Sequence, residues 1–292
     1  MNHLMPVLAV NTLAFHGYEF VRIVEEIKAL GFSYMEPALI SSYYAEMDDG
    51  YFSSERAKRL SALISGQGLA VIAVSAHMDL GTATAVESFQ RRMDVALELG
   101  ARYIHTNSTT KEKTSVFMFN LEQLVPCAES SGLVITLENP GDGENNIIGS
   151  GEEGAALIQK IGSSNLRLNY DFSNVYSYSK GRIKAEDDFK KALQFSAHLH
   201  LKEMRRDGER WQFVSVGKGI TDYKSVFRYL AEHEVNLPMS IELPLRFYRG
   251  SDFKIQYTPH NKPPPLSEIH KVLQESKEFV LGNFPQVNEE LL

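Results

Sequence analysis

The chain has 292 residues, a formal net charge of −7, 43% hydrophobic residues and 23% charged residues. That is ordinary globular composition, long enough for one large α/β domain with its own core. The negative charge offers no general attraction to nucleic-acid phosphates or anionic membranes, so neither is an expected partner.

No run approaches the roughly 20 apolar residues of a membrane helix. Met1 to Val10 lack the basic-then-apolar pattern of a secretory leader, so a cytoplasmic protein is expected. The single Cys127 cannot form an internal disulfide, and in Leu124-Val-Pro-Cys-Ala it reads as helix packing.

Along the chain, short β-rich apolar runs alternate with segments of helical spacing about eight times. The predicted strands are Val7-Leu-Ala-Val-Asn, Tyr34-Met-Glu-Pro, Ala70-Val-Ile-Ala-Val-Ser-Ala-His, Tyr103-Ile-His-Thr, Leu133-Val-Ile-Thr-Leu-Glu, Leu166-Arg-Leu-Asn-Tyr-Asp, Ala197-His-Leu-His-Leu-Lys and Met239-Ser-Ile-Glu-Leu. Between them, Phe20, Ile23, Val24, Ile27 and Leu30 mark one amphipathic stripe closed by Gly31. Ser53 or Ser54 is an N-cap for another helix, and a third ends at Leu97 to Gly100. Eight βα units without a composition break predict a single (β/α)8 TIM barrel of class α/β over residues 1–292. The doubly wound alternative lacks its Gly-rich phosphate loop. Residues 243–265 are long for a barrel loop and are expected to form a lid or subunit contact.

Side chains alternate along a strand, so period two selects those that face the barrel axis. In the fifth predicted strand, Thr136 and Glu138 face inward, and in the sixth, Asn169 and Asp171. The seventh contributes His198, His200 and Lys202, and the eighth Ser240 and Glu242. Four consecutive strands thus deliver Glu138, Asp171, His200 and Glu242 to the C-terminal rim, where barrel enzymes place their chemistry. Buried carboxylates that converge call for a cation. Three carboxylates and one imidazole suit Mn²⁺ first, with Mg²⁺, Co²⁺ and Zn²⁺ as alternatives. Glu36 and His77 are read as substrate contacts or supports for the ligands, and His105 and His198 as satisfied residues of the barrel interior.

The motifs Leu137-Glu-Asn, Asn169-Tyr-Asp-Phe-Ser-Asn, His198-Leu-His-Leu-Lys-Glu, Val216-Gly-Lys-Gly-Ile-Thr-Asp-Tyr and Ser240-Ile-Glu-Leu-Pro resemble the xylose-isomerase-like barrel superfamily. The likeness is to its sugar phosphate isomerase/epimerase group, which includes ketose 3-epimerases. The resemblance implies metal ligation by Glu138, Asp171, His200 and Glu242, with Glu138 and Glu242 also acting as acid and base. It implies substrate contact by Arg206, six residues past the metal His, with Arg205 as the fallback. One departure is visible: many epimerases of this group carry a His three positions after the metal Asp, where this chain has Asn174. An amide orients a hydroxyl but does not titrate near neutral pH.

The expected activity is metal-dependent isomerisation or epimerisation of a sugar or sugar phosphate through an enediolate, in a homo-oligomer (dimer or tetramer). His77, Asn174, Lys202, Arg206 and Glu36 would contact the substrate. A lyase or dehydratase, or a keto-glycoside-processing enzyme, shares this scaffold and is the alternative. An endonuclease-IV-type DNA repair enzyme is disfavoured by Asn174, by the lack of an Asp-x-His pair after the seventh strand, and by the net charge.

Overall fold

The computed structural model describes residues 7–44, 47–48, 50–142, 145–258 and 262–284. Nine parallel strands form one sheet: β1 (Leu8–Asn11), β2 (Tyr34–Glu36), β3 (Ala70–Val71), β4 (Ala73–Ser75), β5 (Tyr103–Asn107), β6 (Val134–Glu138), β7 (Leu166–Asp171), β8 (Ser196–Leu201) and β11 (Met239–Ile241). Their order is β3-β2-β1-β11-β8-β7-β6-β5-β4. Only Ile72 separates β3 from β4, so the two ends of that order are one interrupted barrel strand. Backbone bonds Leu39 N to Ser75 O (2.7 Å) and Ser75 N to Pro37 O (3.0 Å) tie it to the exit of β2. The sheet is therefore a nearly closed α/β barrel, and the eight predicted strands correspond to its eight staves.

Helices α1 (Phe20–Ala29), α2 (Ser54–Gly66), α3 (Ala85–Glu98), α4 (Thr114–Ser131), α5 (Gly151–Ile161), α6 (Phe172–Tyr178), α7 (Ala185–Ala192), α8 (Tyr223–Glu232) and α9 (Leu266–Asn283) accompany the strands. In α1 the apolar stripe buries Ile23, Val24 and Ile27. Each such side chain contributes roughly 2 kcal/mol of transfer free energy. Gly31 follows with φ +70°, the left-handed conformation that glycine adopts without a Cβ penalty. Ser53 caps α2 by accepting from Arg56 N. Cys127 lies half-buried on α4. Among the described residues no helix is long and apolar enough to cross a membrane.

The barrel interior is polar where an ordinary one would be aliphatic. Asn11, Glu36, Ser75, His105, Thr136, Asn169, His198, His200 and Ser240 are all fully buried. The alternate residues on the same strands, such as Ile135, Leu137, Tyr170 and Leu199, join the hydrophobic core. Tyr170 shows the parity directly, since its hydroxyl donates to Asp188 Oδ2 of α7 at 2.9 Å.

A second, antiparallel sheet was not expected from the sequence. β9 (Met204–Asp207) and β10 (Arg210–Phe213) form a hairpin after β8, and β12 (Phe247–Arg249) and β13 (Ile255–Tyr257) come from the segment after β11. They pair in the order β13-β12-β10-β9. The long 243–265 segment thus contributes two short strands to this sheet. Met204, Trp211, Phe213 and Phe247 cluster with Leu13, Ala38 and Ile40 from the ends of the first two barrel units. His260, in the same segment, lies outside the described residues.

Candidate metal centre

Strand parity brings Glu138, Asp171, His200 and Glu242 together. Their ligand atoms all lie within 4.8 Å of one another, and each residue is at most 4% exposed. Glu138 ends β6, and Asp171 ends β7, where it also caps α6 by accepting from Asn174 N at 2.8 Å. His200 lies in β8, and Glu242 follows β11 directly.

His200 Nε2 lies 2.9 Å from Glu36 Oε1. A carboxylate only accepts, so Nε2 carries a proton, and Nδ1 is the ring atom left for a cation. Nδ1 is 2.9 Å from Glu138 Oε2 and 3.1 Å from Glu242 Oε2. Lys202 Nζ lies 2.7 Å from Asp171 Oδ2 and 2.6 Å from Glu242 Oε2. None of these close approaches is aligned as a hydrogen bond for Asp171 Oδ2, His200 Nδ1 or Glu242 Oε2. Three carboxylates and one lysine leave two negative charges when His200 is neutral. Convergent lone pairs of that total charge fit a divalent cation held by three oxygens and one nitrogen.

The electrostatics reflect the crowding. Burial pushes the Asp171 carboxyl up to about 7, with Glu138 and Glu242 adding to the rise and Lys202 opposing it. Burial also disfavours the Glu242 charge, but Lys202 and His200 overcome that and lower its pKa. In the same way, His200 and His77 outweigh burial and lower the pKa of Glu138. Burial opposes a charge on His200 as well, yet the surrounding Glu36, Glu138 and Glu242 raise its pKa well above the usual imidazole value.

The remaining expected contacts separate into two groups. His77 Nε2 stands 3.5 Å from Glu138 Oε2 at the rim. Asn174 donates from Nδ2 to Glu138 Oε1 at 2.9 Å and to Asn139 O at 3.1 Å. Lys202 sits among the carboxylates, with Nζ 3.4 Å from Asn174 Oδ1. Glu36, by contrast, is fully buried, with Oε1 accepting from His200 Nε2. Arg206 is exposed on β9, where Nε donates to Gly208 O at 3.1 Å. Arg205 beside it is also exposed.

Sequence reasoning missed Arg249. This buried residue of β12 donates from Nη2 to Asn174 Oδ1 at 3.2 Å and from Nη1 to Asp142 Oδ1 at 2.7 Å. Nothing local distinguished it from neighbouring Arg246, because its placement depends on the unforeseen second sheet. Nearby, burial pushes the Tyr43 hydroxyl up to about 12, and Lys202 and Glu242 also act on it. Tyr43 walls a cleft of about 530 Å³ together with His16, Tyr18, Tyr44 and Tyr257.

Several solved structures share this fold. D-psicose 3-epimerase from Clostridium cellulolyticum H10, solved with D-tagatose, superposes with a TM-score of 0.73 at 16% identity, covering 96% of this chain and 99% of that one. An L-ribulose 3-epimerase gives 0.69 at 17%, covering 96% and 95%. The probable 3-DHS dehydratase AsbF from Bacillus anthracis gives 0.66 at 14%, covering 94% and 98%. No curated protein matches the chain by sequence. The family model described as xylose isomerase-like TIM barrel matches residues 24–264, and the chain belongs to that family.

Proposed function

We propose that the protein is a metal-dependent isomerase or epimerase that moves a proton on a carbon beside a sugar carbonyl. The observation that carries this reading is the approach of Glu138 and Glu242, from different strands, to the same ring nitrogen of His200. Two carboxylates so placed can face a substrate from two directions, one removing a proton and the other returning it. A divalent ion, Mn²⁺ by the oxygen-rich donor set, would be held by Glu138, Asp171, His200 and Glu242 and would supply Lewis-acid stabilisation of developing negative charge.

The chain's own residues set the rest. Asn169 and Asn174 donate to the two oxygens of Glu138, at 2.9 Å each, and fix its orientation. Lys202 holds Glu242 in its charged form, the form in which it would ligate the cation. His77, Asn174 and Lys202 are placed to orient substrate hydroxyls. A cytoplasmic homo-oligomer acting on a free or phosphorylated sugar completes this reading.

Asn174 favours one second reading. An amide beside Glu138 cannot relay a proton, so the enolate could instead expel a β-substituent, making the enzyme a lyase or dehydratase.

Proton NMR of ketoses, keto-inositols and keto-glycosides in deuterated water, with Mn²⁺, tests both readings. Exchange at the carbon beside the carbonyl is expected, with loss of at least about 100-fold in Glu138→Gln and Glu242→Gln. Epimer formation supports the first reading and release of water or aglycone the second. Exchange that persists unchanged in both variants would remove the glutamates from the mechanism.

A further inference from the structure

One layer below the rim, Glu36 has two unlike oxygens. Oε1 accepts from Asn11 Nδ2 at 2.6 Å, from Ser75 Oγ and from His200 Nε2 at 2.9 Å. Among the described residues Oε2 has no hydrogen-bond donor, although it is fully buried. His105 Nε2, likewise buried and without a hydrogen-bond partner, lies 3.5 Å away. His198 Nε2 lies 3.8 Å from the same oxygen.

The surrounding network fixes the tautomers of both rings. Thr136 Oγ1 donates to Ile104 O at 3.2 Å, so it receives the Nδ1 proton of His105. Asn169 donates through Nδ2 to Glu138, so its Oδ1 accepts from His198 Nδ1 at 2.9 Å. Each neutral imidazole therefore turns an Nε2 lone pair toward the carboxylate. The His198 lone pair is met by the Ser240 hydroxyl at 3.1 Å, whereas that of His105 is met by nothing. Three electron-rich atoms, within 4.8 Å of one another, thus converge in a dry interior.

The two spacings from Glu36 Oε2, 3.5 and 3.8 Å, are nearer those of ligands on a shared ion than those of a direct hydrogen bond. Ligands at about 2.1 Å from zinc sit about 3.4 Å from one another, whereas a charge-assisted N–H···O bond spans about 2.7–2.9 Å. We infer that Glu36 Oε2, His105 Nε2 and His198 Nε2 form a second, buried cation site of Zn²⁺ type beneath the rim cluster. The Ser240 hydroxyl, 3.1 Å from His198 Nε2, would give up that contact when the ion binds. His200 links the two levels, with Nε2–H on the Glu36 carboxylate below and Nδ1 at the rim above. The rim set has three oxygens and one nitrogen, while the lower set has two imidazoles, so the two sites differ in preference. With all three residues fully buried, the ion enters as the barrel closes and exchanges slowly.

Elemental analysis after refolding with Zn²⁺ and dialysis of the folded protein against chelator tests this. The parent and the rim variant Asp171→Asn are each expected to retain one tightly held zinc per chain, and His105→Gln to retain at least tenfold less. X-ray absorption on zinc-loaded Asp171→Asn should show two imidazole nitrogens on the metal. If His105→Gln does not fold, the Asp171→Asn measurement decides alone. Folded Asp171→Asn without retained zinc would overturn the proposal and leave a proton on His105 as the compensating charge. Zinc retained by a parent protein that then takes up no Mn²⁺ on titration would support this site while contradicting the proposed function.

Discussion

Replacing Asn174 by alanine would take one hydrogen bond from each of two buried charges. Its Nδ2 holds Glu138 Oε1 and its Oδ1 receives Arg249 Nη2, with both partners buried. Leaving a buried charged group short of a partner costs about 1–3 kcal/mol. Asn174→Ala is therefore expected to lower unfolding stability in urea by about 2 kcal/mol. A loss within experimental error would mean that Arg249 and Glu138 do not depend on this amide. The alternation of Asn169 with Tyr170, and of His200 with Leu201, made the metal centre legible in the sequence, because period two is a local property of a strand. Arg249 was illegible for the opposite reason. Its approach to Asn174 depends on a sheet whose strands lie about 40 residues apart in sequence, as in the pairing of Trp211 with Arg249.

The loop Gly217-Lys-Gly-Ile-Thr-Asp illustrates the scale of elements. Its backbone wraps the Glu203 carboxylate, with Ile220 N at 3.0 Å and Thr221 N at 3.3 Å from Oε1 and Met204 N at 3.1 Å. Gly219 permits the approach, since a Cβ there would stand 2.3 Å from Met204 O. Asp222 then caps α8 by accepting from Ser225 N at 3.1 Å. The motif was visible in the sequence, but its use as a clamp on a carboxylate was not. Burial raises Glu203 to about 7 despite the three amide donors. The folded pKa thus exceeds the unfolded value of 4.5, so the folded state holds the proton to higher pH. This group's contribution is fully present below about pH 4.5 and is lost as pH rises through 7, a swing on the order of 3 kcal/mol. Urea unfolding of the parent and Glu203→Gln should show the parent losing ground to the variant between pH 5 and pH 8. A difference independent of pH would contradict it.

At the scale of the whole molecule, polarity is layered along the barrel axis. Aliphatic residues face the helices, a buried polar network fills the interior, and carboxylates crown the C-terminal rim. The βα rhythm forecasts the barrel because each unit must bury its own apolar stripe. The second sheet had no such rhythm, since its strands are three or four residues long and pair across the chain. With His200 neutral and the carboxylates ionised, this layering leaves the rim two negative charges in a low-dielectric setting, and the whole account turns on what neutralises them. Isothermal titration of the metal-stripped protein with Mn²⁺ tests this most directly. Asp171→Asn keeps the helix cap but removes a ligand charge. One Mn²⁺ per chain is predicted for the parent, with at least about 100-fold weaker binding in Asp171→Asn. No binding to the parent, or equal affinity in the two proteins, would contradict the metal centre.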